Sequence, residues 1–490
     1  MTTTDLRAGA KGLLRRPTQP VSLRHRAASV LRLHWPAAVL LAAGLVLRVL
    51  AELAYRPALF YIDSVKYIYN SFGNDPEGYK APLRAILLVG NFATVTAVQH
   101  LLGLAMAVVI YVLLLRRGAF RWLAALAIAP LLLDGYQLQN EQTIMPGTWF
   151  EALVVAGIAI LLWRPRAGWA AVVASGLALG TSALVAQVGE VLLVPAVIFL
   201  IAAGGGWRQV LGKSAALCLA FALPILAYCT GSEILTGTFA LSHQGVTSLY
   251  GRTAAAVDCA TIRLPADEQR ICPTKAQQAH GDDWLAYDHA SPVQAIYRDL
   301  PRAQVNGLVT GFSRRVVAQQ PLRVLTGYGR DVLKLFAIRR QTQVGDAPIR
   351  RWQFERTFPY FTPHATKPQV DATIAQFGGG APAAWRPVAA FLHDYQLDGG
   401  YTPGPLLLLF TLSGLAGSAA VLLRRFAPVR ERALACLLLF GSAAFLLLVS
   451  DLFVFSWRYQ LPALVTLVPA GALGISVVAD VIRLPRPQRL

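Results

Sequence analysis

The feature that most constrains this chain is a series of apolar stretches, each roughly 18–25 residues long, the length an α-helix needs to cross a bilayer. They lie near 34–55, 93–115, 119–135, 146–163, 168–186, 188–204, 213–230, 405–423, 433–451 and 459–481. A chain built this way has one reading, a mainly α, polytopic membrane helix bundle of about ten spans. Composition agrees: 55% of the 490 residues are hydrophobic and 14% are charged, against about 45–50% and about 25% in a soluble domain. Disordered, collagen-like and coiled-coil chains are excluded by the apolar content and the lack of a short repeat.

The formal charge of +19, from 45 basic and 26 acidic residues, would suggest nucleic acid if it were clustered on one soluble face. It is instead spread over alternate turns. Arg7, Lys11, Arg15, Arg16, Arg24, Arg26 and Arg32 precede the first span, and Arg116, Arg117, Arg121, Arg164, Arg166, Arg208 and Lys213 follow in later turns. Arg424, Arg425, Arg430, Arg432, Arg483, Arg486 and Arg489 complete the set, with Asp5 and Glu431 as the only acids in those segments. The opposite short turns, near 135–145, 187–190 and 451–457, hold almost no basic residues. Basic residues beside spans stay on the cytoplasmic side. Both termini are therefore expected in the cytoplasm of a multi-pass plasma-membrane protein, and no nucleic-acid partner is expected.

This topology divides the chain into a basic cytoplasmic arm (1–33), an N-terminal bundle (34–230) with a first external loop at 56–84, an extracytoplasmic soluble domain (231–403), and C-terminal spans with a short cytoplasmic tail (404–490). The first apolar run begins after more than thirty residues and is long enough to span, so no cleavable signal is expected. Cys218, Cys229 and Cys436 fall in spans, where cysteine acts as a small hydrophobe. Cys259 and Cys272 fall outside, where a disulfide persists, and are expected to form a structural bridge. Between Pro321 and Ala337, Leu322, Leu325, Tyr328, Val332 and Phe336 recur at helical spacing among Arg323, Arg330 and Lys334; such a helix lies in the membrane interface or packs on its own domain.

The motifs of soluble enzymes are missing: there is no Walker loop, dinucleotide-binding glycine pattern, H-E-x-x-H, G-x-S-x-G or Asp-x-Asp. The eight histidines lack ligand spacing, and His100, mid-span, reads as a packing residue with its polar atoms satisfied. No cofactor is called for, and a divalent metal stays open without a motif to support it.

What remains is charge placed where it is expensive. Asp63, Lys66, Lys80 and Arg84 lie in the first external loop, Asp134 and Glu141 in the second, Gln187 and Glu190 in the third, and Asp451 and Arg458 flank the last. Acids and bases converging over a lipid-facing bundle suggest a pocket for a polar headgroup whose tail stays in the bilayer. The duller reading makes Asp134, Glu190 and Asp451 interfacial residues in contact with water, Arg458 a snorkelling anchor, and Arg48 with Glu52 a structural ion pair four residues apart.

The order of features resembles a known superfamily. The loop F-Y-I-D-S-V-K-Y-I (60–68), the run P-E-G-Y-K-A-P-L-R-A-I-L-L (76–88), the following V-Q-H-L-L-G-L-A-M-A-V-V-I-Y-V-L-L-L-R-R (98–117) and the late S-W-R-Y-Q-L-P-A-L (456–464) resemble GT-C fold glycosyltransferases. These are phospholipid-carrier-dependent enzymes related to protein mannosyltransferases and aminoarabinose transferases. The Cys-to-Cys segment resembles that of actinobacterial members. The resemblance implies a polyprenyl-phosphate sugar donor, transfer on the extracytoplasmic face, and Asp63 as the loop-one catalytic base. The chain departs from the mannosyltransferases at Ser64, where those enzymes place a second acid.

The chemistry asks for the same residue types. Attack of a hydroxyl on an anomeric carbon needs a carboxylate to accept the proton, and Asp63 is the candidate. A departing phosphate needs cationic stabilisation, for which the planar guanidinium of Arg458 is suited, helped by Lys80 or Arg84. Glu141, Gln187 and Glu190 are candidates to bind donor or acceptor hydroxyls, and Tyr67 and Tyr459 to pack on sugar or lipid. The expected activity is a hexosyl- or pentosyltransfer, with inversion, to a cell-envelope glycan, glycolipid or protein hydroxyl. Mannose and arabinofuranose are the first sugars to try. A lipid-linked sugar transporter or flippase, a non-catalytic scaffold, and an oligosaccharide-lipid polymerase or ligase are the alternatives. A transporter would show inverted repeats with matching broken helices, and none is found.

Overall fold

The computed structural model describes residues 32–61, 63–68, 76–242, 245–360, 367–422, 427–452 and 454–483. Arg7 to Arg26 of the basic arm, Arg424, Arg425, Arg486 and Arg489 lie outside the described residues.

Each apolar run seen in the sequence is a helix, but the helices are of three kinds. Five are long enough to cross a membrane: Trp35–Ala54, Phe92–Arg116, Trp207–Thr236, Gly404–Leu422 and Val429–Asp451. A sixth crossing is divided, Trp457–Val465 meeting Leu467–Arg483 at 41°. Arg121–Leu133, Gly147–Leu162, Trp169–Val185 and Gln187–Ala203 are apolar but shorter; at 1.5 Å per residue a 13-residue helix covers about 20 Å, less than the ~30 Å hydrocarbon core. Where about ten spans were expected, the described residues hold five helices of full spanning length, one bent pair and four shorter apolar helices. The short ones end where polar residues intervene: Asp134 terminates Arg121–Leu133 and caps the next helix by accepting from the Tyr136 N–H at 3.0 Å.

The bundle's outer surface is that of a membrane protein. Leu211, Leu219, Leu223 and Leu226 on one helix, and Leu409, Leu412 and Leu415 on another, are exposed, a distribution that in water would aggregate. Phe92–Arg116 opens on a capping box between Asn91 and Thr94, which satisfies two otherwise orphaned N–H groups. Close helix packing depends on glycine. A Cβ on Gly474 would lie 2.0 Å from the Ser413 carbonyl oxygen, and one on Gly180 would lie 2.2 Å from that of Phe221, so both helix pairs need the bare backbone.

Residues 231–403 do not form one body around one core. Residues of Gly245–Ala256, Asp282–Tyr287, Pro292–Asp299 and Arg302–Gln319 enclose their own core of Tyr250, Leu285, Val305, Val309 and Phe312, beside which Cys259 and Cys272 are disulfide-bonded. The later part instead packs on the bundle. Phe354, Ala389 and Leu392 share a core with Leu47, Ala51 and Leu138 of the membrane helices, and Ile349 and Trp352 join the main bundle core. The two-residue strand Tyr55–Arg56, pairing antiparallel with Ala383–Ala384, fastens the same region to the end of the first helix. Pro321–Lys334 keeps Leu322, Leu325 and Leu333 exposed, while its Tyr328 hydroxyl donates to the Leu448 carbonyl at 2.9 Å. That contact sets it against the outer end of a spanning helix.

Candidate functional site

Loop one is held from beneath by an unusual buried helix. Every residue of Gly135–Gln142 is buried although its sequence, G-Y-Q-L-Q-N-E-Q, is polar. A buried polar group needs a partner, and most of these have one, the amide oxygens of Gln137 and Gln139 being exceptions among the described residues. The Glu141 carboxylate, 0% exposed, accepts from Arg48 Nη2 at 2.8 Å, His100 Nδ1 at 2.9 Å and Gln137 Nε2 at 3.2 Å. Arg48 also donates to the Gly44, Leu131 and Leu132 carbonyls, and Gln137 reaches Glu151 at 2.8 Å. His100 is satisfied on both nitrogens, the second lying 2.8 Å from Gln142 Oε1.

Two sequence expectations change here. Arg48 does not pair with Glu52: a buried Glu141 would be costly without a counter-charge, and Arg48 neutralises it, leaving Glu52 3.9 Å from His100 Nε2. Glu141, a candidate to bind sugar hydroxyls, is fully buried, and its carboxylate accepts three hydrogen bonds from inside the protein.

The end of this helix fixes loop one. The Leu59 N–H donates to the Gln142 carbonyl and the Ile144 N–H to that of Leu59, both at 3.0 Å. Ser64, at the position where an acid was sought, is buried; it accepts from the Tyr61 N–H and donates to the Ile144 carbonyl, both at 2.8 Å. Its work is to close the turn that presents Asp63. Gln99 continues the support: its amide donates to the Glu141 and Thr143 carbonyls, its oxygen accepts from Tyr79 at 3.0 Å, and the Tyr79 ring meets Tyr67 edge-on at 5.2 Å.

Above this base, residues from distant parts of the chain come together. Asp63, 31% exposed at its side chain, lies 3.0 Å from Lys66 Nζ and 3.8 Å from Arg458 Nη1. The second distance is beyond hydrogen-bond contact. The Arg458 guanidinium sits 4.7 Å from the Trp352 ring and 5.3 Å from that of Tyr459, a cation–π setting that orients it. Tyr61 packs on Trp352 with ring centres 4.3 Å apart. Burial pushes the Tyr61 hydroxyl up to about 12, with Arg351 pulling the other way and Asp63 adding to the rise, so the phenol stays a neutral hydrogen-bond donor. The cluster therefore offers a carboxylate, two cations and aromatic walls.

Trp352 and Arg351 were not anticipated, because they lie in the external segment, which carried no motif. An R-R-W run on a short turn was the only signal.

Lys80, Arg84, Asp134 and Asp451 have partners of their own. Lys80 pairs with Glu77 at 2.9 Å, in a stretch where the Glu77 N–H donates to the Tyr228 hydroxyl. Arg84 donates to the Ile68 carbonyl, closing the far side of loop one. Gln187 and Glu190 are exposed on the third loop. Asp134 and Asp451 are not water-facing residues but buried ones. Asp134 binds Arg340 Nη2 at 2.8 Å and the Thr402 N–H at 2.8 Å, and Asp451 accepts from Gln460 at 2.7 Å. Among the described residues, no group of three His, Cys, Asp or Glu side chains is placed to hold a metal ion.

No protein-family model and no curated protein matches the chain. Similar solved structures include the Saccharomyces cerevisiae protein O-mannosyltransferase Pmt1-Pmt2 complex bound to the sugar donor, at 17% identity over 48% of this chain and 37% of that one, with a TM-score of 0.33. They also include the Archaeoglobus fulgidus oligosaccharyltransferase AglB in complex with an inhibitory peptide and a dolichol-phosphate, at 14% identity over 94% of this chain and 53% of that one, with a TM-score of 0.42. The same organism's oligosaccharyltransferase in the apo form is similar at 14% identity over 92% of this chain and 51% of that one, with a TM-score of 0.41. The chain thus spans about half, or less, of the length of these proteins.

Proposed function

We propose that this protein is an integral-membrane glycosyltransferase that moves a sugar from a polyprenyl-phosphate carrier to a hydroxyl of a cell-envelope acceptor on the extracytoplasmic face. One observation carries the reading: Asp63 of the first loop and Arg458 before the last span, from opposite ends of the chain, lie 3.8 Å apart within aromatic walls and partly open to solvent.

In this mechanism the acceptor hydroxyl enters beside Asp63. The carboxylate takes its proton as the new bond to the anomeric carbon forms. The bond from that carbon to the phosphate oxygen breaks in the same displacement, which inverts the anomeric centre. Polyprenyl phosphate leaves with the extra electron pair, its charge met by Arg458. Preorganisation is the source of rate here: a guanidinium already held over Trp352 needs no rearrangement when the charge develops. Lys66, rather than Lys80 or Arg84, is the second cation within reach of the reacting groups. The neutral Tyr61 hydroxyl and the faces of Tyr67 and Tyr459 supply sugar contacts.

The test compares lipid and envelope-glycan mass spectra of cells lacking the protein, complemented with the native chain or Asp63→Asn at matched expression. The expected result is that the native chain alone restores a missing glycan, Asp63→Asn losing at least ~100-fold in rate while a polyprenyl-phosphate sugar accumulates. If Asp63→Asn restores everything, the base is not Asp63, and transport or scaffolding replaces catalysis.

A further inference from the structure

A cavity of about 650 Å³ opens between the second half of Arg121–Leu133, the helix Arg386–Leu397 and the start of Gly404–Ala419. Its composition changes along its length. Toward the bundle's interior depth it is lined by Leu126, Ala129, Leu133 and Leu406; toward the outer end it is lined by Asp394, Asp398 and the aromatic residues Phe391, Tyr395 and Tyr401. From Leu126 to Asp134 the helical rise is about 12 Å, enough for a substantial length of hydrocarbon chain. The cavity is separate from the Asp63 cluster. Arg340, bound to Asp134 and enclosed by the rings of Tyr136, Tyr401 and Trp457 at 4.7, 5.3 and 5.4 Å, forms the wall between them.

We infer that this groove holds a neutral glycolipid, its chain on the apolar floor and its sugar at the outer end. The polar lining is the kind that binds carbohydrate: Phe391 and Tyr395 stack with their ring centres 6.1 Å apart and leave Phe391 half exposed, while carboxylates accept from sugar hydroxyls. Asp394 is paired with Arg356 at the rim. Asp398 is exposed and has no ion pair among the described residues. Thr402, which also lines the groove, keeps a buried hydroxyl without a hydrogen-bond partner among the described residues. No Lys or Arg lines the cavity. Three carboxylates line it, Asp134 already held by Arg340 and Asp394 by Arg356, so a phosphate-bearing head would meet Asp398 with no lining cation to receive it, and like charges at close range are disfavoured. The occupant this chemistry selects has hydroxyls and no phosphate. The inference stands apart from the proposed transfer reaction, since it concerns a different cavity and is read by binding alone.

The full chain, purified in detergent, is mixed with monogalactosyl diacylglycerol, phosphatidylethanolamine or phosphatidylglycerol of matched chains, and the bound lipid is counted by native mass spectrometry. Binding of the galactolipid about tenfold tighter than of either phospholipid is expected. Ala129→Trp, which fills the floor, should abolish the preference, and Phe391→Ala and Asp398→Asn, both at exposed positions, should each weaken the galactolipid several-fold without changing the thermal midpoint. Equal binding of all three lipids, tighter binding of phosphatidylethanolamine, or a galactolipid preference that survives Ala129→Trp in protein with a native thermal midpoint would each overturn the inference. If Ala129→Trp does not fold, the Phe391→Ala and Asp398→Asn pair decides: unchanged galactolipid binding in both overturns it.

Discussion

Two charged clusters lie one above the other in this molecule, and they are built on opposite principles. In the lower, Arg48, His100 and Glu141 are sequestered and Glu141 receives three hydrogen bonds. In the upper, Asp63 and Arg458 face each other at 3.8 Å and retain exposure of 31% and 17% at their side chains. Removing charge from water costs several kcal/mol per ion unless geometry and partners repay it. The lower cluster repays most of that cost internally and is closed to solvent, although Arg48 Nε has no hydrogen-bond partner among the described residues. The upper cluster leaves part of it unrepaid, which is the condition a substrate phosphate or hydroxyl can exploit. An ionisable residue near a membrane is therefore not a site by virtue of its position; what distinguishes the upper cluster is charge that solvent and ligands can reach.

The sharpest way to break this comparison is at its base. Glu141→Gln leaves Arg48 buried without a counter-charge, and breaking such a pair costs about 3–5 kcal/mol. The variant is expected to accumulate poorly and to unfold at markedly lower temperature in detergent, whereas Arg48→Met combined with Glu141→Leu should regain part of the loss, because neither charge is then stranded. A Glu141→Gln protein of native stability that has lost activity would move Glu141 into the chemistry and erase the distinction. The upper cluster should answer in the opposite way. Arg458→Lys keeps the charge but forfeits the planar fork and the stacking on Trp352, so turnover is expected to fall by about 10–100-fold, ~1.4–2.7 kcal/mol in the barrier, with the thermal midpoint unchanged. A stability loss without a change in turnover would make Arg458 an anchor.

Much of this was legible in the sequence, and the omissions have physical causes. Length and apolarity located the apolar helices among the described residues, because the bilayer imposes one requirement on any helix that crosses it. They could not tell a full span from a short one, since Pro130 and Asp134 shorten a helix without lowering the apolar content around it. Asp63 and Arg458, which lie 3.8 Å apart in the structure, could be singled out because the motifs that carry them are local in sequence. Arg48 was given the wrong partner because the i, i+4 rule applies to a helix surface, and the first helix is crossed there by the buried Gly135–Gln142. Trp352 and Arg351 went unseen for a simpler reason: their contribution exists only once the external segment folds back onto Tyr61 and Arg458, and nothing at positions 350–352 encodes that return.

The smallest expected effect tests whether the third buried charge cluster belongs with the lower or the upper one. Arg252 of the external core binds Asp282 at 2.7 Å, pairs with Asp331, and donates to the backbone carbonyl of Asp451 at 2.9 Å. Lys334 joins Asp331 at 2.7 Å and Asp346 at 2.5 Å. Three carboxylates thus face two cations across the joint between this core and the membrane helices. Burial pushes the Asp282 carboxyl up to about 7, against the pull of Arg252 and with Asp331 adding to the rise. Because the folded value lies above the ordinary value of 3.8, the folded state holds a proton that the unfolded state has lost. The stability this group supplies is complete below its ordinary value and disappears as pH rises through about 7. Thermal midpoints of the native chain should therefore decline as pH is raised across that window, and Asp282→Asn, which is neutral throughout, should flatten the decline while leaving Arg252 its bonds to Asp331 and the Asp451 carbonyl. An unchanged slope in Asp282→Asn would mean that the joint is as fully compensated as the cluster around Glu141, and that the excess of acid there carries no proton.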